Sequence, residues 1–570
     1  MSLSFWHRTL GVVFIAAWLA AALPVGAERE ASAAALPVGA EREASAAPAW
    51  ELPPDPQPLP STGDCVQDNV FFGAVPPGSE AAPVLVFVHG LAGLAEDWWK
   101  DNTTAGPNDM YIYAYNAGYR TAFVNLNVQP DTMPPQCAVK RRPANDMIGN
   151  GKILSQQLAY ITDHYGVDQV DVIAHSKGGI DAQAAIVYWG AAPRVRRVIT
   201  LATPHQGALL ADLVCTPPLP LDCDQAMQSV RPASMALFRA LTDAATIDDA
   251  IAYYSGAGNF WNTPGTIYQL TGRLLQNQPD GGDNDGAVTV ASTALAGAAQ
   301  LFLRPWNHAE VMQGRNAFPY IAGVLAPTYT TYLPLLTAER GEGALPERWP
   351  ASVEASALAN LIVRYGSLPV ADLTFPIEPR ARAAQFTLWA TDAAVRATLI
   401  SPTEERYELS MAASESSDWF AGLSVAGQTV ARPAPGTWRI RFSGPAGARV
   451  RLIVALDSPL RVEVTGWPRG PLALAEPLRL RVRVAEATGA SPTATVSRLT
   501  AAGQVLAQTQ DDDAQLSGRF PAAGTYDLSI QVTGAVDGVP YERTFLRSLA
   551  VAAPATLADP PAALRSLSQP

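Results

Sequence analysis

The sequence is poor in charged residues and lacks any long block of Lys and Arg. Of its 570 residues, 16% are charged and 48% are hydrophobic, and the formal net charge is -12. This acidic balance argues against nucleic acid or an anionic membrane surface as the main partner. The length is enough for roughly three or four domains, and the hydrophobic fraction can fill a sizeable core in at least one of them.

Long apolar runs are missing after the N-terminus. At the N-terminus itself, His7-Arg8 precedes an apolar stretch at 10–23, and Val25-Gly26-Ala27 offers small residues at a cleavage site. This pattern is typical of a secretory signal peptide, and the stretch is short for a membrane span. We therefore predict that the mature protein is secreted and has no transmembrane segment.

Cysteine is scarce, with four residues at Cys65, Cys137, Cys215 and Cys223. Their spacing does not match a zinc site, and no metal or cofactor is predicted. An even number of cysteines in a secreted chain fits two disulfides. Cys215 and Cys223 are close in sequence, so we prefer the pairs 215–223 and 65–137; buried free thiols are the alternative.

The stretch around Ser176 combines two patterns. An apolar, β-branched run at 170–174 suits a strand buried on both faces of a parallel sheet, and an Ala-rich helical pattern follows Ser176. A strand that turns into a helix through one residue strains that residue and exposes its hydroxyl, provided that its neighbours are small. Ala174 replaces the first Gly of the usual G-x-S-x-G, and Gly178 is the second. Ser176 is the predicted nucleophile; an ordinary Gly-rich turn is the alternative.

A serine nucleophile needs a histidine base, and the base needs an orienting acid. In chains with such a turn the base follows the nucleophile, which leaves His205 and His308. His205 directly follows a predicted strand with no acidic loop before it, so His308, after the last predicted strand, is the better base. The acidic run at 280–286 supplies the acid, with Asp285 as first choice and Asp283 as the alternative.

The oxyanion that develops during ester cleavage needs two fixed N–H donors. One is the backbone N–H of Lys177, directly after the nucleophile. The other is assigned to Leu91, in the His89-Gly90-Leu91-Ala92-Gly93 loop after the first predicted strand. The charged side chain of Lys177 is expected to reach water.

Together, five motifs resemble bacterial secreted triacylglycerol lipases and esterases of the α/β-hydrolase superfamily. They are HGLAG at 89–93, AHSKGG at 174–179, TPHQG at 203–207, NDG at 284–286 and NH at 307–308. The resemblance covers residues 83–325 and implies hydrolysis of lipid esters by a Ser176, Asp285 and His308 triad. Many of these lipases have an Asp that binds calcium two residues after the catalytic His, where this sequence has Glu310.

Strand and helix patterns alternate from residue 83, which predicts a mostly parallel sheet with helices on both faces. The predicted strands are 83–88, 121–126, 169–174, 196–201, 266–271 and 300–303, and the predicted helices are 145–165, 177–189 and 309–324. An insertion at 206–262 interrupts the alternation. Its aromatic and aliphatic residues suit a lid that opens at a lipid surface, or ordinary packing of an extra subdomain.

After residue 325 the pattern changes to period-2 alternation, which predicts two β-sandwiches. PAPGTW at 433–438 is echoed by PAAGTY at 521–526, so we expect both sandwiches to share this turn and strand. The predicted domains are a signal peptide at 1–27, a duplicated and Pro-rich linker at 28–64, the catalytic domain at 65–326, a linker at 327–358, sandwiches at 359–457 and 458–553, and a tail at 554–570.

The sequence thus predicts a secreted serine hydrolase that cleaves carboxylic esters of lipids through an acyl-enzyme, with substrate met at an interface. One alternative is an extracellular polyester depolymerase with the same triad. Another is a non-catalytic surface-binding protein on a hydrolase scaffold. The sandwiches contain no His and no Cys, so we expect them to bind a substrate, surface or partner, or to protect the core.

Overall fold

The structure is a computed structural model that describes residues 50–102, 106–128, 139, 143–216, 221, 223–248, 250–276, 282–325, 360–413, 423–468, 470–486 and 492–553. Residues from Glu51 onward form one compact unit. The predicted signal peptide, the inter-domain linker at 327–358 and the tail at 554–570 lie outside the described residues. Within the described part of the chain, no helix is long and apolar enough to cross a membrane.

An eight-stranded sheet forms the core of the N-terminal domain, in the order β1-β2-β6-β3-β7-β8-β9-β10. Six neighbouring strands, β6, β3, β7, β8, β9 and β10, are parallel to one another. The strands β1 and β2 are paired antiparallel and form one edge of the sheet. Every residue of β3, β6 and β7 is buried. The strands are β1 (Gln57–Pro58), β2 (Val70–Phe72), β3 (Val84–Val88), β6 (Arg120–Val124), β7 (Val170–His175), β8 (Val195–Leu201), β9 (Ala252–Gly258) and β10 (Ala299–Arg304), with a separate ribbon of β4 (Asp101–Asn102) and β5 (Gly106–Pro107).

Helices connect these strands, as expected for a parallel sheet. Asp146 caps the longest helix by accepting the N–H of Gly149 (2.6 Å), and Gly166 ends it in the left-handed region (φ 60°). The helices are α1 (Met110–Asn116), α2 (Met147–Tyr165), α3 (Lys177–Tyr188), α4 (Leu209–Cys215), α5 (Gln225–Ser229), α6 (Pro232–Asp248), α7 (Ile267–Leu275) and α8 (Gly314–Leu325). The predicted α/β fold of this domain is confirmed.

Three expectations about single elements need correction. The predicted strand at 266–271 is wrong, because these residues begin α7, whose buried Tyr268, Thr271 and Leu275 have helical spacing. The strand of this region is β9, inside the predicted insertion. The sheet also begins at β1, inside the predicted linker, since an extended Pro-containing segment suits an edge strand.

The C-terminal region consists of two β-sandwiches, as predicted. The first pairs the sheet β11-β19-β13-β17-β16 with β12-β18-β14-β15, and the second pairs β20-β22-β25 with β21-β27-β26-β23-β24. The strands are β11 (Leu361–Ser367), β12 (Leu373–Ile377), β13 (Ala383–Ala390), β14 (Arg396–Ile400), β15 (Arg406–Ser410), β16 (Ala412–Ala413), β17 (Ser424–Ala431), β18 (Gly436–Ser443), β19 (Arg449–Asp457), β20 (Leu460–Thr465), β21 (Leu472–Ala473), β22 (Leu478–Glu486), β23 (Thr493–Ala501), β24 (Gln504–Thr509), β25 (Asp513–Gly518), β26 (Gly524–Val536) and β27 (Val539–Ala552).

The repeated turn of the two sandwiches has the same hydrogen bond in both. Trp438 donates its indole N–H to the carbonyl of Ala434 (2.9 Å), and Tyr526 donates its hydroxyl to the carbonyl of Ala522 (2.8 Å). In each case an aromatic residue near the start of a strand bonds four residues back. The predicted common device is therefore confirmed.

The large sheet of the first sandwich is buried on both faces. Phe386 and Leu452 point into the core of the sandwich, whereas Trp389 and Ile453, on the opposite face, belong to the same apolar cluster as Leu210 of α4. The helices of the insertion therefore lie between the parallel sheet and this sandwich.

Candidate active site

The chain reverses sharply at Ser176, which lies between β7 and α3. Its backbone has φ 51° and ψ -130°, a conformation that costs a non-glycine residue about 1–3 kcal/mol. The turn depends on glycine: a Cβ at Gly178 would lie 2.4 Å from the carbonyl oxygen of His89, and a Cβ at Gly179 would lie 2.4 Å from Thr203 Oγ1. Such a strained strand-to-helix turn is the geometry that presents a nucleophilic serine.

His308 and Asp285 form the hydrogen-bonded pair that a serine base requires. His308 Nδ1 lies 2.7 Å from Asp285 Oδ2, and the backbone N–H of His308 donates to the carbonyl of Asp285 (2.9 Å). Asp285 Oδ1 accepts the N–H groups of Ala287 (2.9 Å) and Val288 (2.7 Å), which fixes the carboxylate. The proton of the imidazole is therefore held on Nδ1, and Nε2 is the basic nitrogen.

The two rival residues are placed differently. Asp283 is exposed, and the loop uses its carbonyl oxygen to accept the N–H of Val290 (2.9 Å). His205 is buried with Nε2 3.2 Å from Thr200 Oγ1, and its Nδ1 has no hydrogen-bond partner among the described residues. Burial lowers the pKa of His205 well below its usual value. The geometry favours His308 as base and Asp285 as its acid.

Two further histidines hold the site together, and the sequence alone gave no reason to choose them. His175 donates its Nε2–H to the carbonyl of His308 (2.8 Å), and the two rings lie 4.7 Å apart. Burial lowers the pKa of His175 well below its usual value, so its imidazole is neutral. His89 Nε2 accepts the N–H of Leu126 (3.0 Å) while its Nδ1–H donates to the carbonyl of Gly90 (2.8 Å).

The loop that carries Leu91, one of the two predicted oxyanion donors, runs close to the nucleophile. A Cβ at Gly90 would lie 2.9 Å from Ser176 Cβ, so the loop that carries Leu91 passes directly against the turn. Lys177 is the first residue of α3, whose N-terminus directs backbone N–H groups toward the serine. The Ser176 hydroxyl is buried and makes no hydrogen bond to a described residue.

The expectation that the Lys177 side chain reaches water is wrong. Its side chain is 1% exposed, and Nζ lies 2.6 Å from Asp181 Oδ1, one helical turn further along α3. The other oxygen of Asp181 accepts from Asn150 (3.0 Å). Burial raises the pKa of Asp181 to about 6, although the neighbouring Lys177 opposes that shift. Because Asp181 lies four residues after Lys177 on the same face of α3, the lysine ammonium group pairs with it inside the protein instead of reaching water.

Glu310 has a structural task in the loop that carries the base. Its carboxylate accepts the backbone N–H of Asn307 (2.9 Å), and Asn307 Oδ1 accepts the N–H groups of Ala309 (3.0 Å) and Glu310 (2.9 Å). Across the described ranges, no group of three or more His, Cys, Asp or Glu residues could hold a metal ion.

A disulfide joins Cys215 and Cys223, as predicted, with their Cα atoms 5.1 Å apart. It closes the segment between α4 and α5. Cys65 is also disulfide-bonded. Cys137 lies outside the described residues, so the predicted 65–137 pair stays a prediction.

The three candidate catalytic residues are buried in this structure. Ser176 and His308 are 0% exposed and Asp285 is 1% exposed. One apolar cluster extends from residues beside the site, through the insertion, to the outer face of the first sandwich. It includes Leu91, Tyr268, Val288 and Ala309 beside the site, Leu210, Leu213 and Phe238 in the insertion, and Trp389, Val425 and Ile453 in the sandwich.

Comparisons with known proteins agree with the α/β fold of this domain. A family model described as the PGAP1-like alpha/beta domain matches residues 142–214. The crystal structure of the Bacillus licheniformis lipase BlEst2 in propeptide form is similar, with 25% identity and a TM-score of 0.61, covering 84% of this chain and 96% of that chain. The chain resembles the lipases and esterases of the α/β-hydrolase superfamily. The predicted resemblance is confirmed.

Other matches cover less of the chain. The mature form of the same Bacillus licheniformis lipase has 29% identity and a TM-score of 0.36, covering 48% of this chain and 98% of that chain. The carboxylesterase CesB from Bacillus subtilis has 12% identity and a TM-score of 0.28, covering 48% of this chain and 93% of that chain. No curated protein matches the sequence.

Proposed function

We propose that this protein is a serine hydrolase that cleaves carboxylic esters through an acyl-enzyme on Ser176. The observation that carries the proposal is the His308–Asp285 hydrogen bond next to a strained serine turn. That combination brings together a candidate nucleophile, a base and an orienting acid, which are the groups that acyl transfer requires. The similarity to a lipase over 84% of this chain supports it.

The chemistry follows from the protonation states. His308 Nε2 takes the proton of Ser176 as Oγ bonds to the ester carbonyl carbon, and Asp285 stabilises the imidazolium. The backbone N–H groups of Leu91 and Lys177 stabilise the oxyanion, each worth about 3 kcal/mol in comparable sites. The ester C–O bond breaks and His308 returns the proton to the leaving alcohol. Water then attacks the acyl-enzyme by the same steps and releases the acid.

The substrate class that we propose is the esters of lipids. The site borders an apolar cluster, which suits an acyl chain better than a charged group. A polyester depolymerase would use the same triad, and hydrolysis rates on a panel of triacylglycerols and polyester films separate the two. A non-catalytic protein on this scaffold would not react with a fluorophosphonate.

Covalent labelling tests the proposal directly. In protein cut between the α/β domain and the first sandwich, so that the sandwiches can no longer cover the site, a fluorophosphonate should label Ser176, and Ser176→Ala should abolish both labelling and ester hydrolysis. Ser61→Ala is a matched control because Ser61 is exposed and far from Ser176 in sequence. Labelling at another residue, or hydrolysis that survives in Ser176→Ala, would rule out Ser176 as nucleophile.

Secretion is part of the proposal. The N-terminal signal pattern and the Cys215–Cys223 disulfide both fit an oxidising compartment. The N-terminal residue of protein recovered from culture medium identifies the cleavage position. Protein that stays inside the cell with Met1 intact would contradict secretion.

For the C-terminal sandwiches we propose a role other than substrate tethering, namely covering the site. The catalytic residues are buried beneath an apolar cluster to which the first sandwich contributes Trp389 and Ile453. The similar lipase was crystallised in a propeptide form, and its match extends beyond the α/β domain of this chain. We therefore propose that the full chain is a covered form of the enzyme.

A further inference from the structure

The helix α6 is capped by a residue from another domain. Its second residue, Ala233, donates its backbone N–H to the hydroxyl of Ser548 (3.1 Å), which lies on β27 of the second sandwich. The first N–H groups of a helix lack partners within the helix, and a serine just before the helix usually supplies one. Here that contact joins residues 315 positions apart.

Buried charges connect the same elements. Asp212 of α4 accepts from Arg231 Nε (2.8 Å) with one oxygen and from the backbone N–H of Ser548 (2.7 Å) with the other. Arg231 also forms an ion pair with Asp527 on β26. The side chains of Asp212 and Arg231 are 0% and 3% exposed. The insertion and the second sandwich therefore share one buried polar cluster.

The first sandwich forms hydrogen bonds to the chain directly after α4 and to α7. Arg451 donates to the carbonyl of Thr216 (2.8 Å), directly after α4, and Arg449 donates to the carbonyl of Leu221 (2.6 Å). Gln385 donates to the carbonyl of Leu270 in α7 (3.0 Å). The sandwiches thus supply hydrogen-bond partners to backbone groups at the start of α6, in the segment that follows α4, and within α7.

We propose that Asp212, Arg231, Asp527 and Ser548 form a latch that holds the insertion closed over the active site. When these contacts break, the insertion opens. Separation of the sandwich would leave the first turn of α6 uncapped and would remove partners from both Asp212 and Arg231. Buried polar groups without partners are unfavourable, so the insertion would rearrange rather than keep its present form. The insertion borders the catalytic residues, so this rearrangement exposes them. The proposal rests on the proposed ester hydrolysis and names how that site is controlled.

The test uses the full chain with two latch variants, Asp527→Asn and Ser548→Ala. The matched control is Asp513→Asn, since Asp513 also pairs with an arginine of the second sandwich (Arg481, 2.6 Å) but lies on the surface. Hydrogen–deuterium exchange of α4 and α6 and the initial rate on p-nitrophenyl butyrate are measured for each. We expect both latch variants to raise exchange and rate by about tenfold or more, and the control to leave both unchanged.

Exchange in α8, which packs with α1 in a separate apolar cluster that contains no residue of α4, α5 or α6, distinguishes local opening from unfolding. Unchanged exchange in both latch variants, or faster exchange without a faster reaction, would overturn the proposal. A failure of the proposed function looks different: no form of the chain would then hydrolyse the ester or react with a fluorophosphonate, while the latch variants would still raise exchange in α4 and α6.

Discussion

Three histidines surround Ser176, and their hydrogen bonds give each a separate task. His308 pairs with a carboxylate and keeps a basic nitrogen, whereas His175 and His89 bond to main-chain groups. A sequence motif cannot separate these roles, because a histidine acquires its function from the group at its second nitrogen.

The acid of the triad can be tested with adjacent variants. Asp285→Asn should lower kcat by about 10⁴-fold, because an amide can donate to Nδ1 and so favours the wrong tautomer of His308. Asp283→Asn should change kcat little, since Asp283 is exposed. Steady-state rates on a short soluble ester measure kcat for both variants. A larger loss of kcat in Asp283→Asn than in Asp285→Asn would reassign the acid to Asp283.

The positioning role of His175 makes a prediction about kcat and KM. His175→Phe should lower kcat by about tenfold with little change in KM, because the main chain of His308 loses its donor and the base is less well aligned. His175→Gln can place an N–H at the position of Nε2 and should restore most of kcat. Equal losses in both variants would mean that the ring acts only through packing.

The buried pair of Lys177 and Asp181 makes a prediction about stability. Replacing either residue alone, as in Lys177→Met or Asp181→Leu, should destabilise the protein by about 3–5 kcal/mol, since the other charge stays buried without a partner. The double variant should recover most of that loss. Urea unfolding of all four proteins forms the double-mutant cycle, and additive losses would contradict the pairing.

The same pair gives a pH dependence with a definite sign. The pKa of Asp181 is raised in the folded protein to about 6 from a usual value of 3.8. Its contribution to stability is therefore fully present below pH 3.8 and is lost as pH rises through 6. The double variant should lack this component when urea unfolding is compared across that range.

At the scale of elements, the sequence predicted most strands of the parallel sheet because buried parallel strands are continuous apolar runs. It failed where local composition and tertiary context disagree. In β9 the small residues Ser255-Gly256-Ala257-Gly258 look like a turn, yet a Cβ at Gly256 would lie 2.5 Å from the ring of Phe302. Glycine is needed at this position because β9 packs closely against Phe302 of β10. That contact is between distant residues, so the local sequence of β9 does not reveal it.

The sequence of β13 and β19 contains a signal that the outer face of this sheet is buried. Both strands are apolar at consecutive positions, as in Leu452-Ile453-Val454-Ala455-Leu456, whereas β22 alternates strictly with arginine. Continuous apolar residues in an antiparallel strand indicate burial on both faces. The sequence could not identify the second covering surface, because contacts such as Arg231 with Asp527 join positions 296 residues apart.

The loop between α4 and α5 depends on its disulfide. Cys215→Ser with Cys223→Ser should destabilise the protein by about 2–3 kcal/mol, as expected for a short closed loop. The Leu221 carbonyl that Arg449 binds lies in this loop, so contact with the first sandwich should weaken as well. Thermal unfolding measures the loss, and non-reducing peptide mapping tests both predicted pairs. Four alkylatable cysteines in native protein would contradict them.

At the scale of the whole molecule, two kinds of contact join the sandwiches to the α/β domain. The apolar cluster contains side chains from both sides of the contact, and buried ion pairs and hydrogen bonds to main-chain groups near the helix ends also cross it. An interface that contains buried ion pairs is less favourable than a wholly apolar one, since each charge must be removed from water. This composition suits a cover that separates from the enzyme better than it suits a permanent core.

Cleavage of the full chain between the α/β domain and the first sandwich tests the cover. A specific protease site introduced within residues 327–358 should raise the rate on a short soluble ester after cleavage, because substrate then reaches Ser176. The increase should be larger on emulsified triacylglycerol, since removal of Trp389 and Ile453 uncovers the apolar residues of the insertion. Uncut protein carrying the same site and cut Ser176→Ala are the controls. An equal loss on both substrates would mean instead that the sandwiches stabilise the catalytic domain, and an unchanged rate on both would show that the site is not covered by them.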